Sequence, residues 1–268
     1  MNGIPLPAEF GERARDILAG RIRPVPARDA ATVVVLREGP EVYLLRRKAT
    51  MAFAAGAYVF PGGSVDPRDT DHAVAWAGPS PKEWGAVFGA DDQTARGLVC
   101  AAVRETFEES GVLLAGPGAD SVVEDTTGDD WEADRLALID RSLAFADFLD
   151  RRGLVLRSDL LKPWAHWITP EIEHKRFDTR FFVAALPYGQ RTRDVGGEAD
   201  KVVWQTPADA IGQADRGEIF LMPPTRRTLS ELVAYGTVEE VFAATREIIT
   251  FLPEAVEIDG RFWLVTPE

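Results

Sequence analysis

The sequence predicts an α+β fold, and three observations carry that prediction. Two β-rich runs, Thr32 to Arg37 and Glu41 to Arg47, flank Glu38-Gly39-Pro40, which reads as a tight connection between antiparallel strands. A helical pattern ends at Gly111, with Val99, Val103 and Phe107 sharing its back face. Further strand and helix patterns follow without internal repeat or flexible linker, so one domain over residues 1–268 is the simplest organisation.

Along the chain, Tyr58 to Phe60 reads as a short strand running into Pro61-Gly62-Gly63. Asp66 to about Asp92 is rich in Pro, Gly and Asp with scattered Trp76, Trp84 and Phe88, which predicts a long irregular insertion with its own small anchors. Leu136, Ile139, Leu143, Ala146 and Leu149 have helical spacing, so Trp131 to Arg152 is expected to be a helix stopped by Gly153. Trp164 to Thr169, Arg176 to Leu186 and Lys201 to Gln205 read as strands. Thr206-Pro207 supplies an N-cap and a first-turn proline. Helices fit Pro224 to Tyr235 and Val238 to Glu247, the second opened by a capping box from Thr237 to Glu240. Asp259-Gly260 marks a closing hairpin between Val256-Glu257-Ile258 and Phe262-Trp263-Leu264.

Composition narrows the function classes. With 268 residues, 46% hydrophobic and 27% charged, the chain is long enough for a substantial core. The net charge of −13 argues against nucleic acid as a partner, because that affinity comes from cationic contacts to phosphate. A phosphorylated small molecule is still allowed if a local cation cluster or a metal overcomes the mean field. No run of eighteen apolar residues occurs and Met1 to Arg23 mixes charged with apolar residues, so a soluble, cytoplasmic chain with no membrane partner is expected. Thr266-Pro267-Glu268 is not a peroxisomal Ser-Lys-Leu address. The single cysteine, Cys100, cannot form an internal disulfide, and a homodimer is left open.

The chemistry concentrates in Arg104-Glu105-Thr106-Phe107-Glu108-Glu109-Ser110-Gly111. At about 100° per residue, Glu105, Glu108 and Glu109 fall within an arc of about 100°. Glu108 and Glu109 stand in the last turn, where the helix dipole disfavours anions. Glu105 and Glu109 have no cation one turn away, their neighbours being Ala101, Leu113 and each other; only Glu108 has a partner, Arg104. Each unscreened carboxylate pair at about 5 Å and an effective dielectric near 20 costs roughly 3 kcal/mol. A solvated acidic face is the plain alternative, but a divalent cation reverses the sign of that repulsion. All-oxygen donors select Mg²⁺ or Mn²⁺ over zinc. His72, His166 and His174 show no metal-ligand spacing.

Gly63, Arg104, Glu105, Glu108, Glu109, Gly111 and Val112 together resemble the Nudix box, Gly-x5-Glu-x7-Arg-Glu-U-x-Glu-Glu-x-Gly-U with U apolar. Asp69 stands where the box has its first Glu, and Thr106 replaces the first U. Between Asp69 and Arg104 lie 34 residues instead of 7, an insertion of 27 at about residues 70–94. An interrupted box is similar to the branch containing the peroxisomal coenzyme A diphosphatases. Leu44-Leu45-Arg46-Arg47, Phe53 to Gly63, Trp164 to Thr169, Arg176-Phe177-Asp178-Thr179 and Pro223-Pro224 extend the similarity over most of the chain.

The resemblance implies an α/β/α sandwich around a mixed sheet. It implies Glu105 and Glu109 as principal metal ligands, Glu108 as an additional one, the Gly62 carbonyl completing the shell, and Arg104 orienting the carboxylates. A loop acid often serves as ligand or base in such proteins, and Glu198 is the candidate, with a solvated loop acid as its plain reading. The implied substrate is a nucleoside-diphosphate compound, coenzyme A or acyl-CoA first. ADP-ribose, NADH or a nucleotide sugar is the close alternative, and a non-catalytic nucleotide-binding regulator the other class. Arg46, Arg47, Arg176 and Arg180 are the expected phosphate contacts, with Arg226 and Arg227 behind them. Because the insertion joins the glycine loop to the acidic helix, Trp76, Trp84 or Phe88 is expected to form a lid.

Overall fold

The computed structural model describes residues 3–50, 54–70, 74–193 and 199–266. In chain order the elements are β1 (Gly3–Pro5), α1 (Ala8–Leu18), β2 (Arg28–Arg37), β3 (Glu41–Arg47), β4 (Ala57–Val59) and β5 (Gly62–Ser64). A 3-10 turn (Pro67–Thr70) leads to β6 (Trp76–Ala77), α2 (Pro81–Phe88), α3 (Asp92–Ser110), β7 (Ala115–Gly116), α4 (Asp129–Ile139), α5 (Phe145–Arg151) and β8 (Val155–Arg157). The chain continues through β9 (Lys162–Ile168), β10 (Phe177–Ala185), β11 (Ala199–Gln205), α6 (Pro207–Asp215), β12 (Phe220–Leu221), α7 (Pro223–Leu232) and α8 (Val238–Ala243). It closes with β13 (Thr250–Phe251), β14 (Glu254–Ile258) and β15 (Arg261–Val265).

A mixed sheet in the order β12-β4-β3-β2-β10-β9-β13 is the centre, with β11 also on β3 and β5 also on β2. Period-two alternation gives each strand two apolar faces. Ala31, Val33, Val35, Phe182 and Ala184 pack with Val99, Val103 and Phe107 of α3. Val34, Leu36, Phe181 and Val183 pack on the other side with Ala210 of α6, Leu229 and Leu232 of α7, and Val241 of α8. The result is the expected α/β/α sandwich.

Strands β2 and β3 pair only at Leu36/Val42 and Arg37/Glu41. Beyond that point they separate, and β5 takes the freed edge of β2 at Ala30/Ser64, Ala31/Gly63 and Thr32/Gly62. This gap in the sheet lets the last turns of α3 reach the glycine loop.

The insertion differs from its expectation, because it holds a regular helix. Ser80 caps α2 by accepting from Glu83 N–H at 3.3 Å, while Glu83 accepts from Ser80 N–H at 2.8 Å. Pro81 fills N1 and Gly89 ends the helix at φ 63°. Trp84 and Phe88 are buried, stack at 5.9 Å and meet Phe182 edge-on at 5.5 and 5.3 Å. Trp76 donates to the Pro79 carbonyl at 2.8 Å and lies under Arg96 at 5.3 Å. These aromatic residues anchor the insertion to the α3 face and do not line the cleft described below, so the lid expectation is corrected.

Trp131 to Arg152 is two helices, α4 and α5, because the chain turns at Asp140-Arg141 with Arg141 at φ 64°. Helix α8 stops at Ala243, where Ala244 adopts φ −61°, ψ 130°. At its start Thr237 accepts from Glu240 N–H, but Glu240 accepts from Gly236, so the box is half formed. The closing hairpin is as expected, with Asp259 at φ 51° and Gly260 at φ 76°, the signature of a type I′ turn. Strand β15 also pairs with β1, which joins the two ends of the described chain.

Candidate active site

Helix α3 begins at Asp91, whose side chain accepts from Thr94 N–H at 2.8 Å, and ends at Gly111 with φ 76°. No basic residue lies in its last turn. Thr106 is buried and donates to the Ala102 carbonyl at 2.7 Å. A hydroxyl satisfied by its own helix can occupy a slot where an apolar residue is the norm.

Two glycines receive the carboxylates. The Gly62 N–H donates to Glu109 Oε2 at 2.8 Å. A Cβ at Gly63 would overlap the Glu105 carboxylate, and one at Gly62 would overlap the Ala31 carbonyl. Both close approaches require glycine. The same loop meets Arg104, which donates from Nη2 to the Ser64 carbonyl at 3.0 Å.

Arg104 is buried at the centre of the acids. It donates from Nη1 to Glu105 Oε1 at 2.7 Å and Glu108 Oε1 at 3.2 Å, and from Nη2 to Asp69 Oδ2 at 2.8 Å. Burial works against its charge, but the hydrogen bond to Asp69 and the charges of Glu105 and Asp69 outweigh that and hold the guanidinium above its ordinary range. Asp69 is itself buried and accepts from Asp66 N–H at 2.8 Å. The shorter acid at this position therefore anchors Arg104 across the whole insertion. Burial first, and the Glu105 charge second, push Glu108 up to about 7 against the lowering effect of Arg104.

These groups open into a cleft of about 730 Å³. Its lining includes Gly62, Gly63, Asp66, Arg68, Asp69, Arg104, Glu105, Glu108 and Glu109. Ala30, Thr32, Phe177, Thr179 and Phe181 form the sheet side; Leu138, Ile139, Arg141, Leu143 and Phe145 come from the α4–α5 region, and Met222 to Thr225 from the start of α7. The α4–α5 wall escaped sequence reading, because the spacing there announces a helix and is silent on what that helix covers.

Of the expected phosphate contacts, Arg47 lines the cleft. Arg46 projects from β3 with the opposite parity and binds Asp200 at 2.6 Å. Arg180 is buried on the face of β10 opposite Phe177, Thr179 and Phe181, paired with Asp178 at 2.6 Å and Asp29 at 3.0 Å. Arg176 donates to the carbonyls of Thr169 at 3.0 Å and Val25 at 2.8 Å. Arg46, Arg176 and Arg180 thus engage protein partners and are not among the cleft-lining residues; for the strand residues Arg46 and Arg180, a one-residue change of parity turns the side chain to the other face. Arg226 and Arg227 pair with Asp215 and Glu231 on the surface. His166 bridges Asp178 at 2.5 Å and Thr250 at 2.8 Å. Glu198 lies outside the described residues; Ala199, which follows it, lines the cleft.

Among the described residues, no group of three or more acidic, histidine or cysteine side chains is gathered at metal-holding distances. Glu105 and Glu108 turn to Arg104, and Glu109 to the Gly62 N–H. The donor chemistry nonetheless suits a hard divalent ion, because Glu105, Glu108 and Glu109 all line one cleft and offer only oxygen.

A curled mixed sheet, a glycine loop and a carboxylate helix facing one cleft define a class, and the comparisons agree with it. The family description NUDT19 Nudix domain matches residues 82–232, more than half of the sequence, and the chain belongs to the Nudix hydrolase family. The acyl-coenzyme A diphosphatase NUDT19 of Xenopus laevis is 27% identical over 237 residues, covering 75% of this chain and 62% of that protein. Its Homo sapiens counterpart is 26% identical over 243 residues, covering 76% and 63%. This chain thus matches less than two thirds of the length of those relatives. A solved NUDIX hydrolase from Alicyclobacillus acidocaldarius is 31% identical with a TM-score of 0.70, covering 83% of this chain and 98% of that one. No helix among the described residues is long and apolar enough to cross a membrane.

Proposed function

We propose that this chain is a divalent-metal-dependent hydrolase that cuts coenzyme A or an acyl-CoA into 3′,5′-ADP and (acyl-)phosphopantetheine. The observation that carries the reading is the approach of Glu109 to Gly62 and of Glu105 to Gly63, with Glu108 beside them on Arg104, all at the cleft. The substrate class rests on the likeness to proteins named acyl-coenzyme A diphosphatase.

Glu105 and Glu109 would hold the ion, with Glu108 and the Gly62 carbonyl as further donors. Mg²⁺ or Mn²⁺, if held by these residues, would supply charge neutralisation for the diphosphate oxygens and would lower the pKa of the attacking water. Arg104 fixes the rotamers of Glu105 and Glu108, and Asp69 fixes Arg104. Arg47, which lines the cleft, would meet a phosphate oxygen. Water adds its oxygen to one phosphorus as the bridging P–O bond breaks, and a helix carboxylate or Glu198 takes the released proton.

The deciding measurement is product identity and relative rate for CoA, NADH and ADP-ribose with Mg²⁺, repeated after chelation. CoA is expected to turn over fastest, to yield 3′,5′-ADP, and to stop with EDTA. Faster turnover of NADH or ADP-ribose moves the substrate to another nucleotide. Binding without hydrolysis in excess Mn²⁺ makes the chain a regulator.

A further inference from the structure

Arg141 occupies a position where helices favour glycine. It follows the C-cap of α4 with φ 64°, its N–H donates to the Leu138 carbonyl at 3.0 Å, and the Leu143 N–H reaches back to Ala137 at 3.0 Å. Residues with a Cβ adopt this backbone at a cost. Packing gives no reason to keep a long side chain there, because Arg141 is exposed and its guanidinium has no partner among the described residues. A strained residue that the surrounding packing does not require points to a ligand.

Its surroundings say which ligand. Arg141 lines the cleft, and its carbonyl accepts from Arg68 Nη1 at 3.2 Å. Arg68 is held by Asp66 at 2.9 Å, just past the loop that carries Gly62 to Ser64. Arg141 is therefore an exposed residue of the cleft lining whose backbone is tied, through Arg68, to the segment just after the glycine loop. In a chain of net charge −13, an anion outside the carboxylate cluster needs a local cation, and the arginine fork matches phosphate.

We propose that Arg141 is a substrate-binding residue that grips a phosphate monoester lying beyond the scissile diphosphate. The inference rests on the nucleotide-diphosphate reading above and deepens it: in coenzyme A that monoester is the ribose 3′-phosphate. Selection for this contact explains an arginine in a glycine position.

Calorimetric titration of the full chain with adenosine 3′,5′-bisphosphate and with adenosine 5′-monophosphate tests this without turnover. The wild type should prefer the bisphosphate by about tenfold. Arg141→Gly should cut that preference to about twofold while raising Tm by a few degrees, since glycine suits the backbone. Arg141→Lys should keep part of the preference. Equal affinities in the wild type, binding of neither nucleotide, or an undiminished preference in Arg141→Gly would overturn the proposal. Failure of CoA hydrolysis would sink the functional reading instead, and the titrations separate the two.

Discussion

Helix α2 and the last two turns of α3 lie close together in sequence, and the two helices pack against each other, yet local energetics treats them oppositely. Helix α2 has a reciprocal capping box, a first-turn proline, a left-handed glycine and two aromatic side chains in the core. The end of α3 gathers three carboxylates against the helix dipole, with one buried arginine among them. Every local choice in α2 favours the fold alone. The end of α3 is tolerable only because Asp69 and Gly62, from elsewhere in the chain, receive its own Arg104 and Glu109. A segment that obeys each local rule is structural, and one that breaks several at a single place marks chemistry.

Substitutions in the two regions should therefore separate activity from stability. The largest effect is expected for Glu105→Gln and Glu109→Gln, each lowering turnover by about 10²–10⁴-fold, with Tm unchanged or raised because carboxylate repulsion is relieved. Steady-state rates beside a melting curve check this, and near-wild-type rates in both variants would remove the assignment. Trp84→Ala should do the reverse, costing about 3–5 kcal/mol of stability, with kcat of the folded fraction kept; denaturant unfolding measures it, and a selective rise in KM would restore the lid. Ser80→Ala is the mildest, with about 1 kcal/mol lost from the cap. A loss below about 0.3 kcal/mol would mean that burial of Trp84 and Phe88 holds α2 without its box.

Legibility in the sequence followed the range of the interactions. The hairpin of β2 and β3, the Thr206 cap, the Asp259-Gly260 turn and the face of α3 that carries its acids were readable, because each depends on neighbours a few residues apart. Helix α2 was readable too: Ser80-Pro81-Lys82-Glu83 and Gly89 spell its start and stop, but the surrounding Pro and Gly masked them. The break at Arg141 carried no signal, since an arginine in the left-handed region looks like any other. Alternation placed Arg176, Asp178 and Arg180 on one side of a strand, while the side that meets the cleft was set by the helices packed on each face. The anchoring of Arg104 by Asp69 lay beyond any local window.

That anchor gives the box a property best stated in polymer terms. The Arg104 and Asp69 pair closes the base of a 34-residue excursion. Closure entropy grows with the logarithm of loop length, so stretching the uninterrupted spacing to this one costs only about 1.4 kcal/mol. Burial of Trp84 and Phe88, roughly 1.5–3 kcal/mol each, offsets it. A lineage can thus lengthen, shorten or exchange this cassette while the two ends of the box keep their registration.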